Sequence, residues 1–229
     1  MEISRFRNYV DEISDPFESY LVKLLYLTGC RHNEACSVGS KSYGLLRPRK
    51  LRRDGSMPQL HPKTRAMGPT KDDVSYDTFN DVKVLKIRMV VLKRKAKNVF
   101  LRTVALPMSD VFEPWSLGVN AYIQALPENA PLVDLHNNTV NKILHKHGFY
   151  DIVKQMTRED LIRNPLRHIR YNHLVDYYGF DPWQAPLFFG HKLETAMSGS
   201  GGPADAYASL AWRRYFPALL KPLPKVESK

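Results

Sequence analysis

Between Asn164 and Tyr207 the chain gathers an arginine, two histidines and a tyrosine in an order that phosphodiester chemistry can use: Asn164-Pro165-Leu166-Arg167-His168, then Gly190-His191, then Tyr207. Asn164 is a good helix N-cap residue and Pro165 suits the first helical position. Arg167 then falls in the first turn, where unpaired backbone N–H groups and the helix dipole favour an anion. This predicts a phosphate seat with a guanidinium in it. A second arginine, Arg31, lies in Leu25-Tyr26-Leu27-Thr28-Gly29-Cys30-Arg31-His32-Asn33-Glu34, which reads as a helix, a glycine stop and a second helix. At such a corner the fork of Arg31 points outward while Glu34, one turn on, holds the backbone or the guanidinium in place. Breaking a phosphodiester without metal needs a nucleophile and cationic donors for the non-bridging oxygens. Tyr207 is the candidate for the first, and Arg31, Arg167 and His191 for the second. A phenol of pKa about 10 becomes a competent attacker when such cations surround it. Each residue also has an ordinary alternative: a core tyrosine, a loop histidine, an arginine in an ion pair. It is their joint occurrence in this order that favours the chemical reading.

Those residues need elements to position them. Asp15-Pro16 predicts a helix start, with Phe17, Tyr20, Leu21, Leu24 and Leu25 as its apolar stripe and Gly29 as its end. Residues 39–80 are turn-rich and basic, with Arg47-Pro48-Arg49-Lys50-Leu51-Arg52-Arg53 followed by Pro58, Pro62 and Pro69, and they read as an insertion or long loop. Residues 82–92 and 98–106 flank Lys93-Arg94-Lys95-Ala96-Lys97 and read as a β-hairpin with a wholly basic tip. Helices are expected over 115–126 and over 139–147, the second stopped by Gly148. Another runs from Pro165 to Gly179, and Asp181-Pro182 restarts one toward Gly190. From Ala204 a last helix aligns Tyr207, Ala211 and Tyr215 until Pro217 breaks it. The expected class is mainly α with a small β-hairpin or sheet, α+β, forming one catalytic domain over 1–229 with a C-terminal tail from about 217 to 229.

Lys and Arg number 34 against 23 Asp and Glu, a net charge of +11, which favours a polyanionic partner. Between Lys41 and Arg102 lie 17 of those 34 basic residues against five Asp, a clustering that suits a surface tracking phosphates. Arg47, Arg49, Lys50, Arg52, Arg53, Arg94, Lys95 and Lys97 are its DNA-binding candidates. A hydrophobic fraction of 43% argues against disorder. No apolar run approaches the roughly 18 residues that span a bilayer, and Met1-Glu2-Ile3-Ser4-Arg5 lacks a secretory core, so no membrane and an intracellular setting are expected. Cys30 and Cys36 give no disulfide framework. Together with His32 they match no common zinc spacing, so core or surface thiols and no metal are expected.

The run Thr28-Gly29-Cys30-Arg31-His32-Asn33-Glu34, read as Thr-Gly-x-Arg-x-x-Glu, followed in order by a basic hairpin, Asn164-x-x-Arg167-His168, Gly190-His191 and Tyr207, resembles the catalytic domain of tyrosine recombinases, the phage-integrase and Xer-like enzymes. Tyr207-Ala208-Ser209-Leu210 looks like the run around the nucleophile in some archaeal members, and the resemblance extends over residues 15–216. It implies an enzyme that cuts and rejoins double-stranded DNA through a 3′-phosphotyrosine link, without metal or cofactor, in site-specific recombination or integration. Lys93, or failing it Lys95, would be the hairpin lysine that serves the cleaved phosphate, with Val104-Ala105-Leu106-Pro107 resembling the end of the second strand. The resemblance also implies self-assembly on DNA as a tetramer, with the segment after Pro217 docking on a neighbour or else folding back on its own domain. The setting would be cytoplasm or nucleoid, or the host cell for a viral or mobile element. With about 14 residues before Asp15, an N-terminal core-binding domain is expected to be absent. Two departures stand out. Asn164, a further catalytic candidate, replaces the family's usual His or Lys with a neutral amide able to hydrogen-bond phosphate or merely to cap the helix, and 16 positions separate His191 from Tyr207, a longer interval than the family's, with residues 198–203 as the surplus. Tyr215 is the rival nucleophile. A type IB topoisomerase relaxing supercoils, and a DNA-binding module that does not cleave, are the rival functions.

Overall fold

The computed structural model describes residues 1–36, 68–91, 100–157, 163–190 and 211–224. Its centre is helix α2 (Pro16–Thr28), capped as local chemistry requires: the Asp15 carboxylate accepts the Glu18 N–H at 2.8 Å, Pro16 takes the first turn, and Gly29 closes the helix at φ 56°. Every residue from Tyr20 to Thr28 except Lys23 is buried. A helix apolar on nearly all sides must be surrounded rather than laid on a surface. Helix α1 (Ile3–Asp11) covers one side with Ile3, Phe6 and Val10, and α4 (Pro114–Ala125) and α7 (Pro165–Asp176) pack on others.

A three-stranded antiparallel sheet, in the order β1 (Val74–Phe79), β2 (Val82–Val91), β3 (Phe100–Pro107), completes an α+β architecture. The β2–β3 pairing runs from Val84 opposite Pro107 to Val91 opposite Phe100, so the expected hairpin forms. Its tip, residues 92–99, lies outside the described residues. Strand β1 corrects the reading of 39–80 as insertion or loop throughout, because residues 71–79 form a 3-10 turn and an edge strand. None of the strand's residues is fully buried, so burial imposed no clear alternation on its sequence. The signal was in its turn: Asn80 and Asp81 both have positive φ, 46° and 62°, as a two-residue hairpin turn demands.

Helix α3 (His32–Ala35) is a single turn. Helix α5 (Asn137–Lys146) leads through Gly148 into α6 (Phe149–Thr157), a helix that sequence reading did not anticipate although Phe149 and Val153 share its inner face. Helix α8 (Gln184–Phe189) starts where Asp181 accepts the N–H groups of Trp183 and Gln184. Helix α9 (Trp212–Leu219) continues through Pro217 instead of breaking there, another correction. Buried Trp212, Tyr215, Phe216 and Leu219 outweigh the one missing N–H. Beyond it, Leu223 N–H donates to the Val111 carbonyl at 3.0 Å, Lys221 Nζ to the Tyr177 carbonyl at 2.6 Å, and the Tyr177 hydroxyl to the Pro222 carbonyl. Up to Pro224, therefore, the tail is bonded to its own domain. Among the described residues no helix is long and apolar enough to cross a membrane.

Two buried histidines make this fold acid-sensitive. On α7, His173 Nε2–H donates to the Met1 carbonyl at 2.9 Å, leaving Nδ1 to accept the Tyr26 hydroxyl at 2.8 Å. Burial first, and then the charges of Arg170 and Arg7, push its pKa down to about 4. Burial alone drives His32 to about 4. Between the ordinary value of 6.5 and 4 the unfolded chain binds more protons than the folded one, so stability is complete above that window and falls as pH drops through it. We expect a loss of about 1.4 kcal/mol per pH unit per histidine. Urea midpoints across this window check it, and His173→Gln should remove roughly half of the slope.

Candidate functional site

The end of α2, the turn of α3, the start of α7 and the end of α8 converge on one corner. Arg31 occupies the N-cap position of α3. Its own N–H donates to Glu34 Oε2 at 2.9 Å, and its Nη1 to Glu34 Oε1 at 2.7 Å. The Glu34 side chain is fully buried while that of Arg31 is 34% exposed, so the carboxylate anchors both the backbone and the fork, and the cation faces out. Glu34 therefore plays the holding part assigned to it from sequence.

Arg167 sits in the first turn of α7, as Pro165 dictates. Its Nη1 donates to the Gly29 carbonyl at 2.7 Å and its Nη2 to the Phe189 carbonyl at 3.4 Å, with the guanidinium 4.5 Å over the Phe189 ring. Burial, then the positive charges of Arg102 and Arg31, push its pKa down to about 9; Glu34 acts in the opposite direction. The group remains a cation at neutral pH, in a field that an anion would relieve.

Asn164 departs from expectation. Its side chain makes no cap on α7, and instead Oδ1 accepts the N–H of His32, the first residue of α3, at 3.3 Å. One amide thus satisfies the N-terminus of a helix 132 positions away. The start of α7 and the start of α3 are thereby held side by side, each with its arginine.

Sequence reading missed Arg102 as a member of this site. It lies on β3 opposite Met89, is 5% exposed, and donates through Nη2 to the Thr28 carbonyl at 3.0 Å and through Nη1 to the Phe188 carbonyl. A charged residue within the run Phe100-Leu101-Arg102-Thr103-Val104-Ala105-Leu106 was the available signal, since a buried arginine in a strand must find acceptors. Cys30 and Cys36 are buried thiols, pushed up by burial to about 11 and about 12, which suits packing rather than reactivity.

Of the six catalytic candidates, Arg31, Asn164 and Arg167 are brought together. Lys93, His191 and Tyr207 lie outside the described residues, as do Arg47, Arg49, Lys50, Arg52, Arg53, Arg94, Lys95 and Lys97. Tyr215 is described and is unsuited to attack. It is 1% exposed, its hydroxyl donates to the Thr103 carbonyl at 3.1 Å and accepts the Ala105 N–H at 3.0 Å, and burial raises its pKa.

The glycine at the corner is tightly constrained. Gly29 has φ +56° and a Cβ there would lie 2.4 Å from Phe189 Cε1. Gly29→Ala should lower stability by about 1–2 kcal/mol from the left-handed backbone, with a further loss from displacing Phe189. Chemical denaturation of the variant measures it.

Among the described residues, Arg31 and Arg167 meet at one corner, and Arg102 reaches the same two turns from β3. No family model, curated protein or solved structure matches the chain.

Proposed function

We propose that this chain is a DNA strand transferase of the tyrosine-recombinase type, cutting and rejoining double-stranded DNA without metal. The observation that supports it most is the meeting of Arg31 and Arg167, 136 positions apart in sequence, at one corner where protein acceptors fix each fork. Guanidinium contacts to non-bridging oxygens strengthen as charge accumulates in the phosphorane-like transition state. In the proposed reaction the Tyr207 phenol gives its proton to solvent, favoured by the surrounding cations, its oxygen attacks phosphorus, the bond to the 5′-oxygen breaks, and Lys93 supplies the proton that the departing oxygen needs. The phosphate ends as a 3′ ester of tyrosine. Attack on that ester by a 5′-hydroxyl reverses the steps, so no external energy source is required. His191 supplies a further donor to the phosphate.

Asn164 favours a second reading. Its amide is engaged in holding α3, so the position handles no proton, and a DNA-binding module that does not cleave would tolerate such a replacement. Incubating the protein with a nicked duplex in the presence of a chelator, followed by a denaturing gel, decides between them. A protein–DNA adduct supports the transferase. Retained binding without adduct supports the module, and relaxation of supercoiled DNA regardless of site would point to a topoisomerase.

A further inference from the structure

The corner is crossed twice by guanidiniums, on consecutive carbonyls of both turns. Arg167 takes Gly29 and Phe189, while Arg102 takes Thr28 and Phe188, each immediately preceding. Thr28 and Phe188 lie at the C-terminal ends of α2 and α8, where carbonyls lack helical partners and the dipole is negative. A buried cation between two such ends satisfies both, and joins two elements that are 160 positions apart in the chain. Packing fits the same purpose: Gly190 adopts φ +65°, and a Cβ on it would stand 2.9 Å from Arg102 Cδ and 2.6 Å from Val91 Cγ2. The residue before His191 is therefore pressed against the stem of Arg102.

We propose that Arg102 is a positioning residue that straps the Phe188–Gly190 turn to the Thr28–Arg31 corner, fixing where Arg31 and Arg167 stand relative to that turn. It acts through those groups and touches no substrate. Its charge also bears on Arg167, alongside Arg31, Glu34 and Cys30. The consequence for catalysis rests on the strand-transfer reading above, whereas the strap itself does not.

Arg102→Met removes both donors, and Arg102→Lys keeps the charge but lacks the planar fork that places one nitrogen on each carbonyl. Amide hydrogen exchange is measured on both full-length variants, together with adduct formation at saturating nicked duplex and duplex affinity. Expected are a rise in exchange of about tenfold or more confined to residues 28–31 and 187–190, relative to β1 and β2, and a fall in the saturated rate of about tenfold or more with affinity changed less than about threefold. Lys should restore little of the rate. Unchanged exchange at the two turns, an equal rise throughout the chain in both variants, or full rescue by Lys overturns the strap. If the parent protein itself forms no adduct, the strand-transfer reading fails, and exchange alone still decides whether Arg102 holds the two turns.

Discussion

Tyr207→Phe should abolish covalent attachment to nicked duplex while leaving duplex affinity within about twofold, because only the nucleophilic oxygen is removed. Within the proposed mechanism this is the largest effect of any single substitution, since no other group forms the bond to phosphorus. Tyr215 is the control. Its ring is packed among Phe180 and Phe188, and its hydroxyl bridges Thr103 and Ala105 within β3, so Tyr215→Phe should keep adduct formation and cost about 1 kcal/mol of stability for the lost hydrogen bonds. Denaturing gels of both variants, with urea midpoints for each, make the test. Full adduct yield from Tyr207→Phe removes the assignment, and loss confined to Tyr215→Phe transfers it.

Arg167→Ala and Arg31→Ala should each slow cleavage by about two orders of magnitude or more, as loss of a transition-state donor does. The structure separates their side effects. Arg167 also ties the Gly29 and Phe189 carbonyls, so its removal frees one edge of the corner and should lower the unfolding midpoint as well. Arg31 leaves behind a buried Glu34 carboxylate that still accepts the Arg31 backbone N–H, so the local turn keeps one of its two anchors. Lysine at either position restores charge but not the fork, and should recover little of the rate. Single-turnover rates at saturating duplex, compared with unfolding midpoints, distinguish loss of chemistry from loss of fold. Cleavage within about threefold of the parent in either alanine variant would exclude that arginine from the transition state.

Much of the site was legible because the rules that shape it are local. Asp15, Pro16 and Gly29 delimit α2 through contacts within four residues, Pro165 begins α7, and alternating apolar residues pair β2 with β3. Glu34 could be assigned to Arg31 because they are one helical turn apart. What the sequence by itself determined, then, is that two arginines lie at helix corners and that a basic hairpin separates them.

Only the tertiary structure decided that those corners meet. Asn164 has the composition of a cap and acts as one, but for α3 rather than for its own helix, since an amide side chain pairs with whichever unsatisfied N–H the packing brings within reach. The same long-range accounting placed Arg102 between the ends of α2 and α8, buried Tyr215 under β3, and carried α9 through Pro217, where four buried side chains override a local break signal. These outcomes depend on partners from 74 to 132 positions away for the polar groups, and no periodicity or spacing records such a partner. Local propensity sets where each element begins and ends. Satisfying buried polar groups, together with close packing around α2, sets which ends face one another.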